Sequence, residues 1–121
     1  MPKAGESFKI FVLDQLAGFR GVEARPMFGG WGLYAGGVFF GMVWKGGAFL
    51  RVDEESVAEF RARGAKPFDP LKGRPMKNYF AVPVDVLEDA DQFTVWSRRA
   101  LAASKVARTP RTRKASKRSA R

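Results

Sequence analysis

The chain of 121 residues contains no cysteine and no histidine. Their absence removes the usual zinc ligands, thiol chemistry, and both Ser-His-Asp and Cys-His catalysis. No disulfide can brace the fold, which fits a reducing cytosol. A hard-metal site made of carboxylates alone needs a spacing that this sequence does not display. Long apolar runs are also lacking. Val38 to Trp44 falls far short of the ~20 residues a membrane span requires, and Met1 to Ser7 has no signal-peptide core. These readings point to a soluble cytoplasmic protein with no membrane partner. No cofactor, metal site or catalytic residue is expected.

Acidic residues are missing from one end. Residues 1–104 hold fourteen Lys/Arg against twelve Asp/Glu, a net +2, whereas residues 105–121 hold eight Lys/Arg and no acid, a net +8. The charge therefore belongs to the C-terminal segment. Seven of the fourteen residues from Arg108 to Arg121 are basic, and there is too little apolar surface there to stabilise packing. The expected division is a globular domain over 1–104 and a basic, disordered tail over 105–121. Lys105, Arg108, Arg111, Arg113, Lys114, Lys117, Arg118 and Arg121 can neutralise phosphates of DNA or RNA and release counterions. Such contact would be weak, salt-sensitive and sequence-blind, because phosphates carry no base information. A solubilising terminus is the competing reading.

What is present suffices for one core. The chain is 45% hydrophobic, with eleven Phe and three Trp, and a domain of this length buries about two-thirds of its unfolded surface. Phe8, Phe11, Val12, Leu16 and Phe19 recur at helical spacing, predicting a helix over 7–19 with Ser7 as N-cap. A meander follows, with strands over 22–28, 31–34, 38–45 and 48–52. Pro26 predicts that the first lies at an edge or carries a bulge. The near-continuous apolar run of the third predicts a central position or burial on both faces. Turns are expected at Ala35-Gly36-Gly37 and at Gly46-Gly47. Asp53 caps a helix over 54–63, with Glu54 and Glu55 in its first turn and Gly64 just past its end. A short extended piece near Pro67-Phe68, a strand over 78–82 and a last helix capped by Asp89 complete the order. The result is α-β-β-β-β-α-(β)-β-α, an α+β two-layer sandwich of an antiparallel sheet and helices.

Four constellations invite chemical readings. Gly30-x-Gly32-x-x-Ala35 has the form of a dinucleotide fingerprint, but a strand and a turn follow it where that motif needs a helix N-terminus. Exposed strand aromatics among Trp31, Tyr34, Phe39, Phe40, Trp44, Phe49, Tyr79 and Phe80 could stack bases or form a dimer surface, against core packing as the plainer account. Asp53, Glu54, Glu55 and Glu59 are explained by capping and a solvated helix face. Lys72, Arg74 and Lys77 form a basic Pro/Gly loop that either binds phosphate or is simply solvated. An enzyme would need a cleft joining Glu23, Arg25 and Tyr79.

The stretch Arg25-Pro26-Met27-Phe28-Gly29-Gly30-Trp31-Gly32-Leu33-Tyr34 resembles the signature R-x-M-F-G-G-x-G-[LI]-Y of the TfoX (Sxy) N-terminal domain family. Phe49 to Asp53, Asn78 to Pro83, and Asp85 to Asp89 leading to Trp96 through Leu101 agree in order and spacing. The resemblance spans about residues 5–104. Within it, Arg25, Met27, Phe28, Gly29, Gly30, Gly32 and Tyr34 are the signature positions. It implies a secretion-chaperone-like α+β fold and a non-enzymatic role. It also implies transcriptional regulation of competence alongside another regulatory protein, a cyclic-AMP receptor protein. The full-length regulators of that family add a helical C-terminal domain. The basic tail stands in its place here, which implies a stand-alone form. A homodimer without nucleic-acid contact is the alternative.

Overall fold

Short glycine turns set the N-terminal half. The computed structural model describes residues 6–27 and 29–108. Helix α1 (Glu6–Gln15) leads into four strands: β1 (Val22–Met27), β2 (Gly30–Ala35), β3 (Val38–Trp44) and β4 (Gly47–Arg51). Gly36 and Gly37 join β2 to β3 with φ of 58° and 81°. This pair of positive angles matches the right-handed twist of a hairpin. Helix α2 (Glu54–Ala62), β5 (Pro67–Phe68), β6 (Met76–Ala81), α3 (Val84–Leu87) and α4 (Ala90–Arg108) follow. The six strands form one antiparallel sheet in the order β1-β2-β3-β4-β6-β5. Pro26 lies on an edge strand and β3 is central, as the sequence predicts.

Strand alternation sorts the side chains onto two faces. On one, Leu33, Ala35, Phe40, Val43, Leu50, Phe80 and Val82 pack against Val12 and Leu16 of α1 and Phe60 of α2. Val86 of α3 and Phe93, Trp96 and Ala100 of α4 complete this main core. On the other, Met42, Phe68 and Tyr79 are buried beneath Met27, Phe39, Trp44 and Phe49. The apolar run of β3 is thus explained: Phe40 and Val43 serve one face, and Met42 the other. Each fully buried Phe or Leu contributes about 1.5–3 kcal/mol. The fold is the expected two-layer α+β sandwich.

Local differences from the sequence reading have physical causes. Helix α1 stops at Gln15. The chain then tightens, Leu16 N–H donating to Leu13 O at 3.1 Å and Phe19 N–H to Leu16 O at 2.9 Å. Leu16 and Phe19 are buried nonetheless. Ser7 lies inside α1 rather than at its cap. The β3–β4 turn is Lys45-Gly46, not Gly46-Gly47, because Trp44 pairs with Gly47; Lys45 takes φ 47° to allow it. Strand β6 begins two residues early, at Met76. The single turn α3 was not anticipated. It hangs from the Pro83 carbonyl, which accepts from Val86 N–H at 3.1 Å and Leu87 N–H at 3.0 Å. Helix α4 continues past residue 104, so Lys105 is helical and Arg108 is the last helical residue.

Candidate functional site

The helix-free sheet face gathers the chemistry that the helix face lacks. Tyr34 of β2 and Phe39 of β3 have ring centroids 5.3 Å apart, and Phe39 and Tyr79 of β6 are 5.6 Å apart. A guanidinium closes each end of this ladder. Arg25 sits 4.7 Å above the Tyr34 ring and Arg51 5.6 Å above Tyr79. Beside it, Phe68 meets Phe49 at 4.8 Å and Trp44 at 5.3 Å, both near edge-on, and Lys45 lies 4.7 Å over Trp44. These are favourable aromatic and cation–π geometries. Tyr34, Phe39, Trp44 and Phe49 are half-buried, whereas Phe68 and Tyr79 are buried. The face therefore presents ring edges and cations rather than a smooth apolar surface.

The signature segment is the β1–β2 hairpin. Arg25 pairs with Gly32, and Met27 with Gly30. Phe28 lies outside the described residues. Gly29 holds φ 80° in the connection. Gly30 has no room for a side chain, because a Cβ there would run into the backbone carbonyl of Val43. Gly32 lies under the Tyr34 and Phe39 rings and the Met27 sulfur, each 3.0–3.3 Å from where a Cβ would stand. The signature thus divides in two. Gly30 lets β2 approach β3, while Arg25, Met27, Gly32 and Tyr34 shape one end of the aromatic face.

Other candidates resolve individually. The Glu23 carboxylate accepts from Arg25 Nε at 2.9 Å, but three strands separate β1 from the Tyr79 strand. Asp53 Oδ1 accepts from Glu55 N–H, Ser56 N–H and Ser56 Oγ–H, and the Ser56 hydroxyl in turn accepts from Asp53 N–H. The Ser56 backbone bond, foremost, holds the Asp53 carboxyl below its ordinary value of 3.8. Glu59 pairs with Arg99, and Asp85 with Arg63. In the basic loop, Asp69 accepts from Gly73 N–H at 3.0 Å and Arg74 N–H at 3.2 Å. The amides that a phosphate would use already hold an internal anion. Lys77 leaves that loop for β6. Among the described residues no three Asp or Glu side chains gather as metal ligands, and no helix is long and apolar enough to cross a membrane. Lys105 is exposed on α4. Arg108 ends that helix, and Arg111, Arg113, Lys114, Lys117, Arg118 and Arg121 lie outside the described residues.

Arg51 and Lys45 escaped the sequence reading. The alternation of Phe49 and Arg51 along β4 was the available signal for the first. The positive φ of Lys45 left none for the second.

Residues 14–104 match the family model described as the TfoX N-terminal domain. No curated protein matches the sequence.

Proposed function

Because the chain belongs to the TfoX N-terminal domain family, we propose that it is a non-enzymatic regulatory module of the cytoplasm. It docks a regulatory protein on the aromatic sheet face and holds DNA or RNA through its basic C-terminal residues. The observation that carries this reading is the helix-free face itself. Four half-buried aromatic residues and three ring-stacked cations lie on the side of the sheet that no helix packs against. Aromatic and Arg side chains are the types enriched at protein interfaces. Asp53 caps α2, Glu59 and Asp85 form ion pairs, and Asp69 holds its own turn, so these four carboxylates have structural duties. The +8 of residues 105–121 favours a polyanion.

A gel-shift series compares the full chain with a chain ending at Arg108, across 50–200 mM salt. The full chain binds and weakens steeply with salt, and the shortened one binds far less. Equal, salt-insensitive binding by both would overturn the nucleic-acid role. The same sheet face could instead receive a second copy of the chain. Sedimentation of the wild type and of Phe39→Glu separates the two: a dimer that Phe39→Glu dissolves makes the partner a second copy, and a monomer at high concentration leaves the face to another protein.

A further inference from the structure

The six strands carry a single carboxylate, Glu23, and three cations, Arg25, Arg51 and Lys77. All three cations fall on the helix-free face. Arg25 stands over the Tyr34 ring and Arg51 over Tyr79. Lys77 is two residues from Tyr79 on β6, so strand alternation gives it the same side. Lys45 of the β3–β4 turn joins them over Trp44. Glu23 shares the face as the β1 partner of Tyr34, and it is committed to Arg25 at 2.9 Å. Lys45, Arg51 and Lys77 make no ion pair among the described residues. Three uncompensated positive charges therefore stand around the half-buried Phe39 and Phe49. Arg51 Nε is shut off from solvent, so the exposed Arg25, Lys45 and Lys77 are the donors that a partner reaches.

The rings decide between two anionic partners. A nucleobase needs a free ring face on which to stack. Tyr79 is buried, and Tyr34 and Trp44 already hold a cation against the ring. Phe49 meets Phe68 nearly edge-on. A carboxylate has no such obstacle. A cation held against a ring still has N–H donors, and a carboxylate takes them as charge-assisted hydrogen bonds. The ring also limits the rotamer freedom lost on binding. The spacing suits an extended chain. Arg25 is level with Met42 through Gly32, so the Lys45 Cα lies two strands across and three residues along. That is roughly 14 Å at ~4.8 Å per strand and ~3.4 Å per residue. About four residues of extended polypeptide cross it, and residues i, i+2 and i+4 of such a segment share one side.

We infer that the helix-free face takes an extended acidic peptide segment, its carboxylates on Arg25, Lys45 and Lys77 and its apolar side chains on Phe39 and Phe49. The inference rests on the docking reading above and gives that partner its chemistry.

The test uses the full chain and an array of random eight-residue peptides. Wild type and Phe39→Ala carry the same basic C-terminal segment. Peptides bound by the first and lost by the second are therefore those held by the face. They are expected to be rich in Asp and Glu, with acids four residues apart around an apolar residue. Lys45→Gln and Lys77→Gln should each weaken them about two- to fivefold, the worth of one exposed ion pair. Arg61→Gln removes the same charge from α2, where Arg61 lies over Phe80 of the opposite face, and should leave them unchanged. These three positions are exposed, so their variants should keep the wild-type melting temperature and test the site even where Phe39→Ala does not fold. Equal weakening by Lys45→Gln and Arg61→Gln would show a general charge effect and overturn the site. Face-held peptides that are neutral or basic would overturn the acidic chemistry and leave the docking reading standing. No face-held peptide at all would sink both. A labelled oligo-dT that binds wild type and is lost by Phe39→Ala would put bases on the face and overturn the peptide.

Discussion

Replacing Gly30 with alanine separates a folding role of the signature hairpin from a binding role. The new Cβ would collide with the Val43 carbonyl and lie about 3.1–3.2 Å from Trp44 atoms. A backbone oxygen cannot rotate away, so β2 and β3 must separate where Trp31 pairs with Val43. Overpacking of this kind costs about 1–3 kcal/mol, and one weakened ladder hydrogen bond adds about 1 kcal/mol. The lower entropy of an unfolded Ala chain returns about 0.4–1 kcal/mol. The net expectation is a loss of about 2–3 kcal/mol. At Gly32 the obstacles are the Phe39 and Tyr34 ring edges at 3.0 Å and the Met27 sulfur at 3.3 Å. Such side chains can move, so Gly32→Ala should cost about 1 kcal/mol and disturb the aromatic face more than the fold. Urea unfolding measures both. With m of about 1–3 kcal/mol/M for a small domain, the Gly30→Ala midpoint falls by roughly 1–2 M at unchanged m. A Gly30→Ala midpoint within ~0.3 M of wild type, or a larger loss for Gly32→Ala, would refute the close-approach account.

Three further outcomes follow from the packing and the cap. Phe60→Ala removes a buried ring 4.7 Å from Trp96 and 6.1 Å from Phe80, and should cost about 3–5 kcal/mol in denaturant unfolding. Ser97 is fully buried, and among the described residues its hydroxyl has no hydrogen-bond partner. Ser97→Ala should therefore raise the melting temperature, by about 0.5–1 kcal/mol of stability from helix propensity and removal of an unpaired polar group; a lower melting temperature would contradict the burial. Asp53→Ala loses the α2 cap and should cost about 1 kcal/mol at neutral pH. Because folding depresses the Asp53 pKa, the ionised cap's contribution is complete above the ordinary 3.8 and disappears as pH falls through the lowered folded-state value. Wild-type and Asp53→Ala stabilities should converge in that acidic window. A gap that stays constant down to pH 2 would show that the carboxylate charge is not involved.

Elements whose signals are local were legible in the sequence. The Asp53 cap, the Gly36-Gly37 turn, edge placement through Pro26 and the two-sided burial of β3 each follow from a few neighbouring residues. What escaped was set by pairing partners. Lys45 accepts a positive φ because Trp44 must meet Gly47, although a glycine pair one residue later offers the easier turn. Helix α3 is one turn long, too short for any period to show. The division of the aromatics between faces needed the β2–β3 irregularity at Leu33/Tyr34, which no alternation rule contains.

The place of β6 between β4 and β5 has a consequence for the order in which the molecule assembles. The first four strands are successive hairpins, which close over short loops at little entropic cost. The β4–β6 pairing instead joins Arg51 to Tyr79 only after α2, β5 and the Asp69 loop have been laid down between them. Contacts so distant in sequence form slowly, and weakly held units open first. Hydrogen exchange should therefore find the Asn78 to Ala81 amides opening more readily than those at the centre of β3. The far end of the aromatic ladder would then be the last part of the sheet to form and the first to be lost.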